Sequence, residues 1–361
     1  MALSEMSSDH RENYAMNKKP RLAVMNGYMP TSTHDVFSGI TKAFRLLGYH
    51  TDTILSHNLY RDWLEYCRFF SIINGVPNWS YTSDDVVKRA SFNSVLSVME
   101  SDPDALIIID GTSVHKEAWQ WFKRLGIPTI IIGTESPYQD KFLTRSATMA
   151  DKTFVNEKTT AKKTGLEYLP LGYDGEVHHP MMVSTTFRHD VVFVGSGFKE
   201  REELLGAVDW NGIDFVLYGY YKIDHSHKLA PYYKDVMIPN AEAALLYNGA
   251  KISINLNRIS VDYEGVAIIP EAESLSPRVY EIAANGGFMI SEYRPEIDEI
   301  FGDLVPTFSD GEQLDELISY WLPKDRERQE IGAELAKIAK KHSYVERAKR
   351  VVRYISEELS S

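Results

Sequence analysis

Short apolar runs alternate with amphipathic stretches along most of this chain. Residues 105–110 read ALIIID and residues 128–133 read PTIIIG, and each is a continuous apolar run of strand length. Apolar residues recur at helical spacing over 36–47, before Gly48, which is a common helix terminator. Strands that alternate with helices are typical of a parallel sheet covered by helices. The pattern therefore predicts an α/β architecture.

The predicted strands form two groups, separated by a stretch without periodicity. The first group comprises residues 21–26, 51–55, 105–110, 128–133, 153–156 and 167–171, and the second comprises 190–194, 215–218, 251–256 and 288–290. Between them, residues 171–190 read LGYDGEVHHPMMVSTTFRHD, where Gly, Pro and polar residues predict an interdomain linker. A chain of 361 residues can bury two such cores.

Helices are predicted between and after these strands. They cover residues 36–47, 116–125, 199–208, 240–248, 277–284, 296–301, 312–321, 326–341 and 344–359. Residues 58–101 are rich in aromatics and are predicted to have weaker order, with the aromatic rings in core and loop packing. A stacking platform for an acceptor is the alternative for those rings. Residues 1–20 are polar and are predicted to be a flexible arm.

Composition narrows the classes of protein. Thirty-nine basic and fifty-one acidic residues give a net charge of -12, which argues against a general attraction to nucleic acid. The single cysteine, Cys67, forbids an intrachain disulfide and is expected to be buried. The apolar runs are strand-sized and no basic start precedes one, so we expect an unsecreted, cytoplasmic protein without a membrane segment.

The stretch EAESLSPRVYEIAANGGFMIS, residues 271–291, carries the clearest candidate chemistry. Ser276-Pro277 predicts a helix start, with an N-cap residue before a proline at the first helical position. Free N–H groups and the positive dipole at that end make an anion site. Arg278 lies in the first turn, where acidic residues are usual, and its planar fork suits a phosphate. The stretch therefore predicts an anion-binding helix.

Glu281 lies three residues after Arg278, on the same side of this helix. A carboxylate there could accept both hydroxyls of a ribose while phosphates occupy the helix end. Glu273 precedes Glu281 by eight residues, a Glu-x7-Glu spacing. The alternative is a capped helix with a surface Arg-Glu pair, which would contribute little.

Three segments resemble GT-B glycosyltransferases, in particular the CgeB-like branch. PRVYEIAANGGFMISEYRPEIDEIF is similar to the donor-binding segment with its R-x-[FY]-E-x-A-x-x-G pattern. The turn ESPY, residues 135–138, resembles an acid-x-Pro-Tyr turn of that branch, and HSYVERA resembles its C-terminal H-[TS]-Y-x-x-R. The resemblance implies two Rossmann-like domains facing a central cleft, with a C-terminal helix crossing back to the first domain.

The resemblance to this family also implies the roles of the domains. Residues 21–175 would form the acceptor domain, residues 190–341 the nucleotide-sugar domain, and residues 342–361 the returning helix. Glu281 would hold the ribose of the donor. The other donor contacts would come from Gly195, Ser196, Lys199, Arg201, Tyr218, Ile238, Glu273, Ser276, Pro277 and Arg278, with Ile238 in the turn 235–239 near the base. The full G-x-G-x-x-G motif is absent, and an ordinary tight turn is the alternative at Gly195.

Acidic residues at the ends of the first-domain strands are the candidates for a general base. These are Asp110 and Glu135, together with His34 and Asp35 in an earlier loop, and the sequence does not rank them. The pair His178-His179 lacks a chelating spacing and is predicted to lie on a linker surface. No metal is expected, and no cofactor beyond the donor sugar nucleotide.

Together with the predicted anion-binding helix, the resemblance favours a glycosyltransferase that uses a nucleoside-diphosphate sugar, and by analogy with that family it implies UDP as the carrier. A nucleotide-sugar epimerase of the same fold and a two-domain binding protein without catalysis are the alternatives. The acceptor is open among glycan, protein, small molecule and modified DNA base, the last requiring a basic groove and base flipping. Oligomeric state is also open.

Overall fold

A computed structural model describes residues 19–27, 34–73, 82–234, 236–260, 269 and 271–359, with the side chains of residues 34 and 70–73 left out. The chain divides into two compact units. Unit 1 contains the described residues of Met1–Ile132, Arg145–Thr153 and Val352–Ser361, and unit 2 contains those of Gly133–Thr144 and Phe154–Val351.

The first sheet has six strands in the order β2-β1-β3-β4-β5-β6. They are β1 (Leu22–Met25), β2 (Thr51–Ile54), β3 (Ala105–Ile109), β4 (Thr129–Ile132), β5 (Lys152–Val155) and β6 (Glu167–Tyr168). β1 pairs in parallel with β2 and β3, β3 pairs in parallel with β4, and β5 with β6. The residues of β1 and β3 are buried throughout, because a parallel sheet is covered on both faces.

In the described part of the chain, six helices accompany this sheet. They are α1 (His34–Leu46), α2 (Ser56–Ile73), α3 (Ser83–Ser101), α4 (Lys116–Leu125), α5 (Asp140–Ala147) and α6 (Lys158–Thr164). The expected weak order over residues 58–101 is wrong, since α2 and α3 occupy most of that range. Thr82 and Asp85 form a reciprocal capping box at the start of α3. The abundant aromatics of α2 hid its helical period in the sequence.

The second sheet has five strands in the order β11-β10-β9-β7-β8 and lies in unit 2. They are β7 (Val191–Val194), β8 (Phe215–Tyr218), β9 (Ile252–Asn255), β10 (Met289–Glu292) and β11 (Thr307–Phe308). Their helices are α7 (Lys199–Ala207), α8 (Asn240–Gly249), α9 (Pro277–Ala284), α10 (Pro295–Phe301), α11 (Gly311–Trp321), α12 (Asp325–Ala339) and α13 (Tyr344–Leu359). The pairs formed by β7, β9 and β10 are parallel.

Two apolar layers enclose this second sheet. Val192 and Met289 belong to the layer that also contains residues of α8, α9, α10 and α12. Phe193 and Ile290 belong to the other layer, with residues of α7 and α11. Adjacent residues of one strand thus enter different layers, because side chains alternate along a strand. A parallel sheet with helices on both faces is a Rossmann-like domain.

The predicted alternation of strands and helices is confirmed in both sheets. The strand predicted over 167–171 is shorter, since β6 ends at Tyr168. Residues 133–144 and 154–175, which were predicted to belong to the acceptor domain, belong to unit 2. Helix α13 belongs to unit 2 up to Val351 and to unit 1 from Val352 onward. The boundaries at residues 175, 190 and 342 stay predictions.

Cys67 is buried, as expected. Among the described residues, no helix combines the length and the apolar character needed to cross a membrane. Residues 1–18 of the predicted arm lie outside the described residues.

Candidate functional site

A glycine-rich turn follows β7. The N–H groups of Gly195 and Gly197 donate to the main-chain oxygens of Tyr218 and Tyr220 at 2.9 and 2.8 Å. A Cβ atom built on Gly195 would lie 2.7 Å from Nη2 of Arg278. Any larger residue at position 195 would therefore collide with the Arg278 guanidinium in its present position. One predicted phosphate donor, the Gly195 N–H, is therefore already bonded within the protein.

Arg201 holds this turn from inside unit 2. Its Nη1 donates to the oxygen of Ser196 at 2.9 Å, Nε to that of Asn257 at 3.0 Å, and Nη2 to that of Leu256 at 3.2 Å. Burial, and after it the charge of Arg278, lower the pKa of Arg201 to about 10, so the side chain remains a cation at neutral pH. Arg201 is 7% exposed, so these hydrogen bonds position the turn, and the predicted neutralisation of a diphosphate by Arg201 stays a prediction.

Lys199 is the first residue of α7. Its side chain is 62% exposed, with Nζ 4.0 Å from Oε1 of Glu203. Ser196 is half-buried beside Gly195. Contacts of either residue with a diphosphate stay predictions.

Arg278 joins the first turn of α9 to the ends of two strands. Nε donates to the oxygen of Val194 at 2.7 Å, and Nη1 donates to Oδ1 of Asn255 at 3.2 Å and to the oxygen of Leu256 at 3.3 Å. The guanidinium carbon lies 5.1 Å from the ring centre of Phe193. Within the described residues Arg278 forms no ion pair with a carboxylate. It is a positioned cation whose charge has no direct acidic partner there.

The predicted start of α9 is confirmed. Ser276 occupies the N-cap position and Pro277 is the first helical residue. The Ser276 hydroxyl does not cap the helix, because it hydrogen bonds to Oδ1 of Asn255 at 3.1 Å instead. Gly286, with φ +72°, supplies the left-handed residue after the helix. The N-terminal N–H groups of α9 are thus not used by its own N-cap side chain.

Two buried carboxylates hold the loop before α9. Glu157 accepts the N–H groups of Glu273 and Ser274 at 3.0 and 3.2 Å. Glu296 accepts the N–H of Leu275 at 2.8 Å. Three consecutive main-chain donors are therefore satisfied by side-chain carboxylates, which fixes the path of the loop.

The sequence analysis missed both carboxylates. Glu157 occupies the N-cap position of α6, where its Oε1 also accepts the N–H of Thr159 at 3.1 Å. Arg294 lies 3.7 Å from Glu157 and Lys158 lies 3.3 Å from Glu296, so each buried acid has a cation. A glutamate directly after the strand predicted over residues 153–156 was the available signal for Glu157.

The carboxylate of Glu273 pairs with Lys162, whose Nζ lies 2.6 Å from Oε2. The side chains are 30% and 66% exposed, so water screens this pair. A contact between Glu273 and a donor sugar stays a prediction.

Glu281 is buried on the second turn of α9, with 8% of the residue exposed. Nδ2 of Asn240 donates to its Oε1 at 3.5 Å, and Nε2 of His178 lies 3.8 Å from the same oxygen. Burial raises the pKa of Glu281 to about 7, and the positive charge of Arg278 opposes that rise. The alternative of a surface Arg-Glu pair is wrong, because this carboxyl is buried and half-protonated near neutral pH.

His178 corrects a second prediction. Its side chain is fully buried against α8 and α9, whereas its neighbour His179 is exposed. The doublet was predicted to lie on a linker surface, and only His179 does. Sequence spacing could not separate two adjacent histidines.

Two further residues predicted to contact the donor, Tyr218 and Ile238, are half-buried. Burial raises the pKa of Tyr218 at the end of β8. Ile238 packs against the same apolar layer as Tyr218. A donor contact by Tyr218 and a base contact by Ile238 stay predictions.

The candidate bases occupy separate places in the chain. Asp110 follows β3 with φ +72° and accepts the hydroxyl of Thr112 at 2.5 Å. Glu135, in unit 2, lies 3.4 Å from Nη1 of Arg258. Asp35 is exposed in the first turn of α1, and the side chain of His34 lies outside the described residues. The structure does not rank these candidates.

The predicted ESPY turn contacts two arginines, Arg258 and Arg294, through Tyr138. The guanidinium carbon of Arg258 lies 4.3 Å from the ring centre of Tyr138, and the Tyr138 hydroxyl donates to the oxygen of Arg258. Nη2 of Arg294 donates to that same oxygen at 2.9 Å. Glu135 and Tyr138 thus both contact Arg258 in the loop after β9.

A cavity of about 410 Å³ lies away from these residues. Asp190, Asp214, Lys251 and Phe288 line it, and each immediately precedes a strand of the second sheet. It is therefore at the amino ends of the strands. Ligands of open parallel sheets bind at the carboxyl ends, where Gly195 and Arg278 lie, and we place the candidate site there.

Solved structures share this architecture over almost their whole length. A sucrose-phosphate synthase from Thermosynechococcus elongatus aligns with a TM-score of 0.59 at 10% identity, covering 95% of this chain and 100% of that one. HepE of Anabaena, in complex with UDP-glucose, aligns with a TM-score of 0.60 at 10% identity over 94% and 99%. This chain has the GT-B fold. A putative UDP-N-acetylglucosamine 2-epimerase from Listeria monocytogenes, at TM-score 0.60 and 11% identity over 95% and 97%, shares it.

A family model described as glycosyl transferase-like matches residues 199–353 of this GT-B chain. That range contains α7, Arg278, Glu281 and the HSYVERA segment. No curated protein matches the sequence.

Proposed function

We propose that this protein is a glycosyltransferase that moves a sugar from a nucleoside-diphosphate sugar to an acceptor hydroxyl. One observation carries the proposal: Arg278 is positioned by Val194 and Asn255 at the start of α9, without an ion pair to a carboxylate among the described residues. Its Nη2 lies beside Gly195. A charged fork held at a helix N-terminus, next to a glycine turn, suits a diphosphate.

Sugar transfer requires a site that stabilises the charges that develop as the donor bond breaks. The bond between the anomeric carbon and the diphosphate oxygen breaks, so negative charge grows on the leaving group while positive charge grows on the sugar. Arg278 and the start of α9 would stabilise the leaving diphosphate. Arg201 would keep the Ser196 turn in place from behind. Glu281 would accept the ribose hydroxyls.

UDP is the favoured carrier. HepE was solved with UDP-glucose, and the Listeria structure is described as a putative UDP-N-acetylglucosamine epimerase. The match to a glycosyl transferase-like family over residues 199–353 supports transfer as the reaction. Membership of the CgeB-like branch, a metal-independent reaction, acceptor binding by residues 21–175 and a cytoplasmic location remain parts of the proposal.

The experiment is a screen of UDP-, GDP-, ADP- and dTDP-sugars with the full chain. We expect a UDP-sugar to raise the melting temperature and to release UDP slowly by hydrolysis. Arg278→Ala is the negative control for release. If none of these sugar nucleotides stabilises the protein or is consumed, the proposal is wrong.

Epimerisation is the second candidate, favoured by the similarity to the Listeria structure. Proton NMR of the sugar recovered after incubation separates the two reactions. Transfer leaves the configuration of unreacted donor unchanged, whereas an epimerase converts it to a stereoisomer. Stabilisation by a sugar nucleotide without any turnover would instead favour a binding protein.

A further inference from the structure

A buried polar cluster lies behind Glu281 in unit 2. His178 enters it from the segment 174–178, where its N–H donates to the oxygen of Asp174 at 2.9 Å. The imidazole lies 6.4 Å from the ring centre of Tyr247, on α8. Its Nε2 lies 3.8 Å from Oε1 of Glu281. The sequence predicted no role for this histidine beyond a linker surface.

The hydrogen bonds of Asn285 assign the tautomer of His178. Nδ2 of Asn285 donates to the oxygen of Glu281 at 2.9 Å, and its Oδ1 accepts from Asn248 at 2.8 Å. The amide orientation is therefore set by two other partners, and Nδ2 must be the donor toward Nδ1 of His178 at 3.0 Å. A neutral imidazole that accepts at Nδ1 carries its proton on Nε2. That N–H is the one nearest to Glu281.

The other groups around Glu281 are few. Arg278 acts on it from α9 itself, and neutral Asn240 contacts it from α8. The helix α12, which packs on α9, contributes Leu335 and Ala339 to the shared apolar layer. Within the described residues, Arg278 is the charged group that lowers the pKa of this carboxyl, and the titratable side chain of His178 lies 3.8 Å from it.

We propose that His178 is a positioning residue that directs its Nε2–H at Glu281 and so stabilises the carboxylate that receives the ribose. The proposal rests on the proposed function, because Glu281 is the ribose acceptor only there. A donor near the charged form favours ionisation. Burial raises the pKa of Glu281 to about 7 although the charge of Arg278 and the hydrogen bond from Asn240 oppose the rise, so the His178 donor lies beside a carboxyl that titrates near neutral pH. Loss of this donor should therefore raise the pKa of Glu281. As pH falls, nucleotide binding should then begin to weaken at a higher pH than in the wild type.

The test uses His178→Asn and His178→Gln in the full chain. Glutamine can place an N–H near the position of Nε2, whereas asparagine reaches only the Nδ1 side. His179→Asn makes the same change at the exposed neighbour and is the matched control. Thermal unfolding of each variant checks that it is folded.

Two measurements decide the outcome. Infrared difference spectra against Glu281→Gln, recorded from pH 5 to 9, give the ionisation midpoint of the Glu281 carboxyl. Titration calorimetry with UDP over the same range gives the affinity. We expect His178→Asn to raise the midpoint and to weaken UDP binding at pH 6.5 by roughly three- to tenfold, one pKa unit being tenfold in population. His178→Gln and His179→Asn should resemble the wild type.

An unchanged midpoint in His178→Asn would overturn the proposal. So would equal upward shifts in His178→Asn and His178→Gln, because they would show that packing rather than the N–H matters. If the wild type does not bind UDP, the proposed donor fails, and the infrared midpoint still decides whether His178 acts on Glu281.

Discussion

The Nε–H of Arg278 donates to the main-chain oxygen of Val194 across 2.7 Å, which ties the first turn of α9 to the end of β7. A second donor, Nη1, contacts Asn255 at the end of β9. The guanidinium is thus held by two strands before any ligand binds. Catalysis by charge stabilisation depends on such preorganisation, since the group need not reorient during the reaction.

Replacing Arg278 by alanine should lower kcat more than it weakens donor binding. The loss of one preorganised donor corresponds to roughly 2 to 4 kcal/mol of barrier. Arg278→Lys should restore activity only partly, because lysine lacks the fork that bonds to Val194 and Asn255 together. Initial rates with a saturating UDP-sugar give kcat. Arg326→Ala removes an 83% exposed arginine as control, and equal effects of the two alanine variants would contradict the assignment.

Glu281 should make UDP binding weaken as pH falls through about 7, the pKa to which burial raises this carboxyl against the opposing charge of Arg278. The protonated carboxyl loses acceptor capacity for ribose hydroxyls. Calorimetry from pH 5.5 to 8.5 measures this dependence. Glu281→Gln should bind UDP weakly at every pH in that range. A wild-type affinity that does not change with pH would rule out titration of Glu281 in the free site.

Glu281→Gln should also stabilise the free protein at alkaline pH. The folded-state pKa, about 7, exceeds the ordinary value of 4.5, so the carboxyl favours folding most below pH 4.5 and this contribution is lost as pH rises through 7. Glutamine stays neutral. We expect its melting temperature to exceed the wild type at pH 8.5 and to match it at pH 5. Glu330→Gln, an exposed residue, should show no such difference between the two pH values.

Glu157→Ala should destabilise unit 2 by about 3 to 5 kcal/mol, because it leaves Arg294 without its buried acid and two loop N–H groups without acceptors. Urea denaturation measures the loss. Glu299→Ala is the control: Glu299 is 57% exposed and pairs with Lys158 at the edge of the same network. If Glu157→Ala lowers the free energy of unfolding by less than about 1 kcal/mol, as expected for a screened surface pair, Glu157 does not fix the loop before α9.

Gly219→Ala should disrupt the turn after β7. Gly219 has φ +138°, and an added Cβ would overlap the carbonyl oxygen of Gly195. Gly212 also has a positive φ, +75°, but open space surrounds the position of an added Cβ. Gly212→Ala should therefore lower the free energy of unfolding only through backbone strain, by about 1 kcal/mol. Comparing melting temperatures and UDP affinity in the pair isolates the overlap. Equal losses in both would show that the close approach to Gly195 is unimportant.

The periodicity of the sequence predicted most of the fold. Residues such as 105–109 and 191–194 are apolar runs of strand length, and Ser276-Pro277 marks the start of α9 directly. Helices α2 and α3 escaped prediction for different reasons. Aromatic residues blur the apolar spacing of α2, whereas serines such as Ser91 and Ser94 occupy part of the buried face of α3. Most helical stability comes from packing, which the sequence pattern does not show.

The sequence by itself determined that Arg278 and Glu281 share the first turns of one helix, since local residue types and spacing set helix starts and faces. Only the tertiary structure decided what those side chains meet. Glu157 lies 116 positions before Glu273, and His178 lies more than a hundred positions before Glu281, yet each pair is in close contact. Burial and hydrogen-bond partners depend on how distant segments pack, and no local pattern encodes them. For that reason the sequence could name Arg201 and His178, whereas it could not predict their burial or their hydrogen-bond partners.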